Sequence, residues 1–534
     1  MYRCGGNQKS DRRRYHSFCA TWSARRSGNN DGKCVQSLCG KSTASGERSG
    51  LRSSVCTAPN DCRAVESGKM TRSLVKNFIV YGLGFGLSKF SMVLVLPFVT
   101  SALTPEEFGV IELVQTAYNV LMIFGLLQLD ASFQRFYANQ EFQQTRLIGT
   151  IVLFIVLANV LLIGAIHGLG WLFLDDLPVG MPIISLMSAL VFFSNVSSIL
   201  FIVYRYDDRA VSLSLLTFIQ IAVQVIFIYY FLVIKQYGVF HYFLSQTIGF
   251  VVLLVLQIAL LKRSVDWRID RGYLKRLFRF GLPQMPARIG AVLNRHVSKF
   301  FIINAMSMHA LGIYSAALKV SSMAQIIYMA FNMAWYPMLY KMLNSKDYTK
   351  LKIMNAMVVG VCLYASIAFA LLSPLMGQLL LSEEYTESVK YMAPLFLSTL
   401  LFVVKDSVDI GTRVTEKTQY VSYIYFVAMA VTLVLYTLFS KFGIASVVAI
   451  QFAGNLLLVA MTLYNSEWLF KVGFSYLVNI VSIVLCFVLL VVIASLDLSM
   501  TQSLSAFAVL TLSVMLGSWI TYKKKFAKSH NEVC

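Results

Sequence analysis

The chain has 534 residues, of which 57 % are hydrophobic and only 13 % are charged, and this composition excludes an ordinary soluble protein. Its formal net charge of +20 would suggest nucleic-acid binding in a soluble protein, but here the basic residues lie mostly in short segments between long apolar runs. The composition therefore predicts a protein that crosses a membrane many times, with membrane lipids around it and no nucleic-acid partner.

Residues 1–69 are rich in Ser, Arg and Gly and show no apolar periodicity. Residues 40–43 read Gly-Lys-Ser-Thr, as in a phosphate-binding loop, but Val35 stands where that motif needs its first glycine. We therefore predict no nucleotide or other cofactor, and because no two cysteines have the CxxC spacing, we predict no metal site. The segment is interpreted as a disordered or non-native N-terminal extension, with Met70 as the working start, and an organelle transit sequence is the alternative.

Fourteen apolar runs follow from Leu74 onward, each about long enough to cross a bilayer as a helix. The first six predicted spans cover residues 74–100, 108–129, 147–169, 181–203, 211–234 and 239–261. The other eight cover residues 277–303, 309–337, 354–373, 389–411, 419–438, 443–464, 475–496 and 503–521. The sequence thus predicts an all-α polytopic membrane protein with about 14 transmembrane helices.

Basic residues are divided unequally between the two sides that alternating spans define. Twenty-four lysines and arginines fall on the side of the two chain ends, against three on the other side, Lys235, Lys390 and Lys441. Because basic loops remain in the cytoplasm, both termini are predicted to be cytoplasmic.

The longest predicted loop, residues 262–279, places apolar residues on one face beside several cations, which is typical of a helix lying at the membrane interface. We interpret it as a cytoplasmic linker between two halves. The predicted organisation is an N-terminal six-helix lobe over 70–261, this linker, a C-terminal six-helix lobe over 280–464, and two additional spans with a basic tail over 465–534.

Two short motifs recur in the two halves. Residues 81–83 read Tyr-Gly-Leu and residues 280–282 read Phe-Gly-Leu, while Phe-Gly-Val at 108–110 corresponds to Leu-Gly-Ile at 311–313. Six predicted spans, an even number, separate the copies. The halves are therefore predicted to be parallel repeats, related by an axis along the membrane normal.

The seventh predicted span carries a stripe of cations. Arg288, Arg295 and Lys299 fall within roughly 40° of one another around a helix, and Gln284 joins the stripe one turn earlier. Each cation costs about 2.5 kcal/mol or more at a bilayer centre if it faces lipid. The stripe is therefore predicted to face water or an anion. Snorkelling to the interface is the alternative, which suits Lys299 near the helix end better than Arg295.

The chain resembles the polysaccharide transporters, or lipid-linked oligosaccharide flippases, of the multidrug/oligosaccharidyl-lipid/polysaccharide (MOP) exporter superfamily. The resemblance lies in residues 76–121, in Phe-Gln-Arg-Phe-Tyr-Ala at 133–138, in Phe-Gly-Leu-Pro at 280–283 and in Leu-Gly-Ile-Tyr-Ser at 311–315. It implies two pseudo-symmetric, MATE-like helix bundles around a central cavity that opens alternately to each side. It also implies a sugar unit on a polyprenyl diphosphate as cargo, the cell inner membrane as location, and a cationic cavity lined by spans one, two, seven and eight.

Under this resemblance, four cations are predicted to line the cavity and hold the diphosphate: Lys89, Arg288, Arg295 and Lys319. Arg forks hold phosphate oxygens in pairs, and Lys adds a point charge. Secondary candidates are Gln284, Lys299, Arg135, Ser315 and Ser322, of which the two serines share the helix face of Lys319 and Arg135 matches the family's arginine after span two. A positive-inside marker is the other interpretation of Arg135.

Carboxylates are expected to be too scarce near these cations to neutralise them. Asp130 is a candidate partner of Arg135, and Lys405 with Asp409 has the spacing of a structural i,i+4 pair.

The predicted function is export of a polyprenyl-diphosphate-linked oligosaccharide for O-antigen, capsule or exopolysaccharide synthesis, with other polysaccharide assembly proteins as further candidate partners. A multidrug or cation antiporter of the same fold is the alternative, but it needs membrane carboxylates, and only Glu112 near the outer end of span two qualifies. A membrane glycan polymerase would need a large outer loop, so no catalytic residue is predicted and the protein is not expected to be an enzyme. A non-transporting scaffold would leave cations at helical spacing unexplained.

Overall fold

The computed structural model describes residues 93, 95–138, 142–172, 180–207, 209–261, 265–344, 348–415, 417, 419–496 and 499–513. They belong to one compact unit, Arg72–Cys534. Every regular element within these ranges is helical, which confirms the all-α prediction. The predictions for residues 1–69, and for Lys89, lie outside the described residues.

The described part of the chain before the linker begins with helical residues 95–102. The helices that follow are α1 Pro105–Leu126, α2 Leu129–Ala138, α3 Gln144–Leu172, α4 Met181–Tyr206, α5 Ala210–Ile228 and α6 Val239–Ala259, with a π-helical turn Tyr229–Ile234 continuing α5.

The linker contains α7 Arg271–Gly281, and a 3-10 turn Leu282–Gln284 leads directly from it into α8. The remaining helices are α8 Met285–Ala305, α9 Met308–Ser321, α10 Ala324–Asn344, α11 Tyr348–Leu380, α12 Val389–Val408, α13 Gly411–Val414, α14 Gln419–Phe439, α15 Ile444–Leu469 and α16 Tyr476–Ser495. Residues 500–513 are also helical.

Eleven helical segments among the described residues are long and apolar enough to cross a membrane, and each coincides with a predicted span. The count of fourteen is not confirmed. The seventh predicted span corresponds to α8, which is 21 residues long but carries three cations. The first and last predicted spans lie partly outside the described residues.

Helix starts follow local capping chemistry. Thr104 caps α1 in a capping box with Glu107, and Pro105 occupies the first turn, where no amide hydrogen bond is needed. Asp270 caps α7 by accepting from the Gly272 and Tyr273 amides, and Ser307 caps α9 by accepting from the Ala310 amide. These caps fix where α1, α7 and α9 begin.

The two halves contact each other closely through α1 and α9. A Cβ on Gly109 would overlap the Met308 carbonyl, and a Cβ on Gly312 would overlap the Pro105 carbonyl, so glycine is required at both positions. These glycines are the central residues of the recurring motifs. Their reciprocal contact is the arrangement expected of pseudo-symmetric bundles.

Further contacts close the same end of the molecule, which we call the acidic face because Glu106 and Glu383 lie there. The Tyr385 hydroxyl donates to the Leu103 carbonyl at 2.8 Å, and the Ser382 hydroxyl donates to the Thr100 carbonyl at 2.7 Å. The opposite end, which carries α7 and its cations, is the basic face.

At the basic face, the bend between α1 and α2 packs against α7. Leu127 and Gln128, between α1 and α2, both adopt left-handed backbone with φ of 49° and 60°. Ser132 of α2 donates to the Leu277 carbonyl of α7 at 2.8 Å, and a Cβ on Gly281 would lie only 2.9 Å from the Gln128 carbonyl oxygen. The linker therefore packs directly against the end of the second span.

The eighth span differs from the prediction, because it is broken. The helix is interrupted at Ser322–Met323, between α9 and α10, although the sequence predicts one continuous run over 309–337. The Ser321 hydroxyl contacts both the Ala317 and the Met392 carbonyls at 2.7 Å. This side-chain contact with α12 accompanies the break, which has neither glycine nor proline in it.

Candidate functional site

The cationic stripe of α8 runs from the basic face towards the acidic face. Arg288 lies near the start of the helix with its side chain 39 % exposed, Arg295 is exposed in the middle, and Lys299 near the far end is only 7 % exposed. At 1.5 Å per residue, Arg288 and Lys299 are about 16 Å apart along the axis. The stripe therefore offers cations at several depths.

The deepest cations share one carboxylate. Glu112 of α1 is 3 % exposed, and its Oε2 accepts from Lys299 Nζ at 2.6 Å. Its other oxygen, Oε1, lies 2.5 Å from Lys319 Nζ of α9. Three helices thus meet at one ion triplet, which we call the Glu112 bridge.

Carboxylates are fewer than the cations, as expected, but they are not absent, because Glu112 contacts two cations and Asp130 contacts a third. Lys299 does not snorkel to the interface, since its ammonium group is buried against Glu112. An isolated buried charge is costly, so a paired arrangement is what electrostatics demands at this depth.

Arg288 pairs with Asp130 rather than standing alone. Its Nη1 donates to Asp130 Oδ2 at 3.0 Å, which connects α8 to the start of α2. The predicted pair of Asp130 with Arg135 is therefore wrong. Arg135 instead lies over the Phe280 ring at 4.4 Å, and Gln284 donates to the Phe280 carbonyl at 3.0 Å.

The surroundings of Lys319 combine aromatic and polar groups. Its Nζ lies 4.6 Å from the centre of the Phe108 ring, and Tyr242 of α6 is also buried. Ser315, one turn earlier, is 1 % exposed, and its hydroxyl has no hydrogen-bond partner among the described residues. Ser322 lies at the helix break, where its hydroxyl donates to the Lys319 carbonyl at 2.5 Å.

A second charged cluster lies at the end of α12, and its ion pairs differ from the predicted pair. Lys405 donates to the neighbouring Asp406 at 2.9 Å and not to Asp409. Tyr328 donates to the other oxygen of Asp406 at 2.9 Å, while Asp409 forms an i,i+4 pair with Arg413. Lys405 and Asp409, which the spacing predicts to pair, therefore belong to one cluster, but each of them pairs with a different residue.

Comparison with known sequences identifies the family. A family profile described as "Polysaccharide biosynthesis protein" matches residues 74–343, about half of the chain. The chain belongs to the polysaccharide biosynthesis protein family. Among curated proteins, none matches the chain in sequence.

Solved structures confirm the fold of this family member. A lipid II flippase, MurJ, in an inward closed conformation is similar with a TM-score of 0.61 over 84 % of this chain and 99 % of that one, at 13 % identity. An inward-facing multidrug resistance MATE transporter of the MOP superfamily gives a TM-score of 0.52 over 74 % and 95 %, at 14 % identity. The chain therefore has the MOP transporter fold.

The cations can be predicted from the sequence better than their partners. From the sequence, Glu112 is only an antiporter candidate near the outer end, and Asp130 is expected beside Arg135 instead of Arg288. A signal for Glu112 was present, because a single carboxylate within an apolar span is by default a functional candidate that needs a partner. What the sequence alone did not contain was the close approach of α1 to α9 that brings Glu112 to Lys319.

Proposed function

We propose that this protein flips a polyprenyl-diphosphate-linked oligosaccharide from the cytoplasmic to the outer leaflet by alternating access, for O-antigen, capsule or exopolysaccharide synthesis. The observation that carries the proposal is a surplus of positive charge. Glu112 and Asp130 are two carboxylates among five cations, Arg135, Arg288, Arg295, Lys299 and Lys319. Such an excess within the helices that carry the candidate site suits an anionic cargo.

Arg295 is the proposed first contact for the diphosphate. It is exposed, and no described residue forms an ion pair with it, so its guanidinium is available for bidentate binding of phosphate oxygens. Arg288 and Lys319 are proposed to complete the site, together with Lys89, which lies outside the described residues.

The contacts between the halves suit loading from the cytoplasm. The acidic face is closed by the α1–α9 contact and by the hydrogen bonds of Tyr385 and Ser382. If the basic face is cytoplasmic, as the distribution of basic residues favours, Arg288 and Arg295 lie nearer the cytoplasmic end of α8 than Lys299 does.

A null strain tests this proposal. We expect its membranes to accumulate lipid-linked oligosaccharide on the cytoplasmic side, and expression of this protein to restore surface glycan. A null strain that keeps normal surface glycan and accumulates no lipid-linked intermediate would overturn the proposal.

A cation antiporter is the second candidate function, because Glu112 is a buried carboxylate in a spanning helix. Both of its oxygens, however, contact lysines. Cationic dye efflux that depends on Glu112 would favour the antiporter, whereas we expect efflux no greater than in cells that lack the protein.

A further inference from the structure

The Glu112 bridge joins the two halves of the molecule. Glu112 belongs to α1, before the linker, while Lys299 and Lys319 belong to α8 and α9, after it. The three side chains are 4 %, 7 % and 11 % exposed, so the ion triplet is almost completely removed from solvent. Any event that separates α1 from α8 and α9 must therefore break these ion pairs.

The Glu112 bridge is also short of negative charge. Two ammonium groups share one carboxylate, which leaves one positive charge in excess at a buried site. A buried excess charge is unfavourable unless a further anion approaches it. The neighbouring Ser315 hydroxyl, which has no described hydrogen-bond partner, supplies an additional donor on the same face of α9.

We infer that Glu112 is a built-in counter-ion that competes with a phosphate group of the cargo for Lys299 and Lys319. This inference rests on the proposed function and adds to it a residue that opposes cargo binding. A phosphate carries several acceptor oxygens and brings the missing negative charge, so it satisfies both ammonium groups and the Ser315 hydroxyl better than one carboxylate does. Glu112 is then released from both lysines.

Release of Glu112 has a consequence for the acidic face. Glu112 lies one turn from Gly109 along α1, and Lys319 lies two turns from Gly312 along α9. The Glu112 bridge therefore supports the same helix pair that closes this face. A ligand shifts a conformational equilibrium only by its differential affinity for the two states, and exchange of Glu112 for phosphate provides that difference.

Binding of farnesyl diphosphate to the purified full-length protein tests the inference, because this prenyl diphosphate is soluble in water. Removing a charge-assisted competitor should tighten binding by about tenfold to a hundredfold in Glu112→Gln. Glu112→Asp, whose shorter side chain reaches the two lysines less well, should fall between Glu112→Gln and wild type. Glu106→Gln is the matched control, since it removes the same charge from an exposed position of α1, and its affinity should equal that of wild type.

Spin labels at Glu106 and Glu384 give a second measurement at the acidic face. We expect farnesyl diphosphate to lengthen their separation in wild type, and Glu112→Gln to lengthen it without ligand. Unchanged or weaker binding by folded Glu112→Gln and Glu112→Asp would overturn the inference. If Glu112→Gln does not fold, the affinity of Glu112→Asp for farnesyl diphosphate, compared with that of wild type, tests the inference alone.

The proposed function is judged separately, by whether wild type binds farnesyl diphosphate and loses affinity in Arg295→Ala. Binding by wild type that Glu112→Gln does not strengthen would refute only the inference. Absence of binding in wild type and in every Glu112 variant would refute both.

Discussion

Arg295 occupies an unusual position for an arginine in a membrane protein, because it is exposed in the middle of α8 and no described residue forms an ion pair with it. A charge-assisted contact with phosphate contributes about 1.5–3 kcal/mol, so Arg295→Ala should weaken cargo binding about tenfold to a hundredfold. Surface glycan should fall accordingly at near-normal protein levels. Arg295→Lys should restore part of it, because the bidentate fork is lost, and Arg295→Glu should be worse than Ala through repulsion.

The level of protein in the membrane separates cargo binding from a structural role for Arg295. A structural role predicts that Ala and Glu variants both fail through misfolding. Arg268→Ala removes a cation whose side chain is 81 % exposed and should leave export unchanged. Normal export by well-expressed Ala and Glu variants at both Arg288 and Arg295 would contradict the cationic-site mechanism.

Arg288 and Asp130 allow a charge-reversal test at the basic face. Arg288→Asp alone places two carboxylates together and should reduce the level of folded protein. Adding Asp130→Arg restores opposite charges across the 3.0 Å contact and should recover the protein level. Export should not recover, because the guanidinium then projects from α2 instead of α8. Full export by the double variant would show that Arg288 serves only the ion pair.

At the residue scale, the sequence predicts the cations and their shared helix face because helical periodicity is a local property. It does not predict their partners, because Glu112 and Lys319 are separated by about two hundred residues and meet only through tertiary packing. The same limit explains the error at Asp130, where the nearest arginine in sequence, Arg135, lies over Phe280.

Among the helix contacts, the α1–α9 crossing should be the least tolerant of added volume. Gly312→Ala places a methyl group on the Pro105 carbonyl, a backbone atom that moves only with its helix. Overpacking of this kind costs about 1–3 kcal/mol, so the thermal unfolding midpoint of the purified protein should fall. Export should fall as well, because the two helices are forced apart at the acidic face.

Gly360 of α11 provides the matched control for Gly312. A Cβ there meets nothing within 4 Å. Alanine is favoured over glycine within helices by about 0.5–1 kcal/mol, so Gly360→Ala should leave the unfolding midpoint equal or slightly higher. A midpoint for Gly312→Ala that matches this control would argue against the tight α1–α9 contact.

Element boundaries show where periodicity is informative and where it is not. Apolar runs predict the long helices well, since each must be apolar over the thickness of a bilayer. They do not predict the break at Ser322–Met323, because the residues there are not helix breakers and the Ser321 contact with Met392 comes from α12. Nor do they separate α7 from α8, whose junction depends on a 3-10 turn containing Pro283.

For the whole molecule, the two-fold organisation follows from the repeated Gly motifs, and the contact between Gly109 and Gly312 shows why glycine stands at both places. Repeats are visible in sequence because equivalent positions face equivalent steric limits. The conformational state is not visible in this way, because it depends on which face the two halves close.

Orientation in the membrane can be tested by cysteine labelling. All nine native cysteines are first replaced by serine, and the variant is checked for export. Single cysteines are then placed at three exposed positions, Glu384 on the acidic face and Lys275 and Lys417 on the basic face.

Because basic residues remain cytoplasmic, we expect an impermeant maleimide to label only Glu384→Cys in intact cells. Lys275→Cys and Lys417→Cys should react only after permeabilisation, which also controls for their reactivity. The reverse pattern would place the closed acidic face in the cytoplasm. Arg288 and Asp130 would then lie at the outer end, and the proposed direction of loading would be wrong even if the cationic site binds diphosphate as proposed.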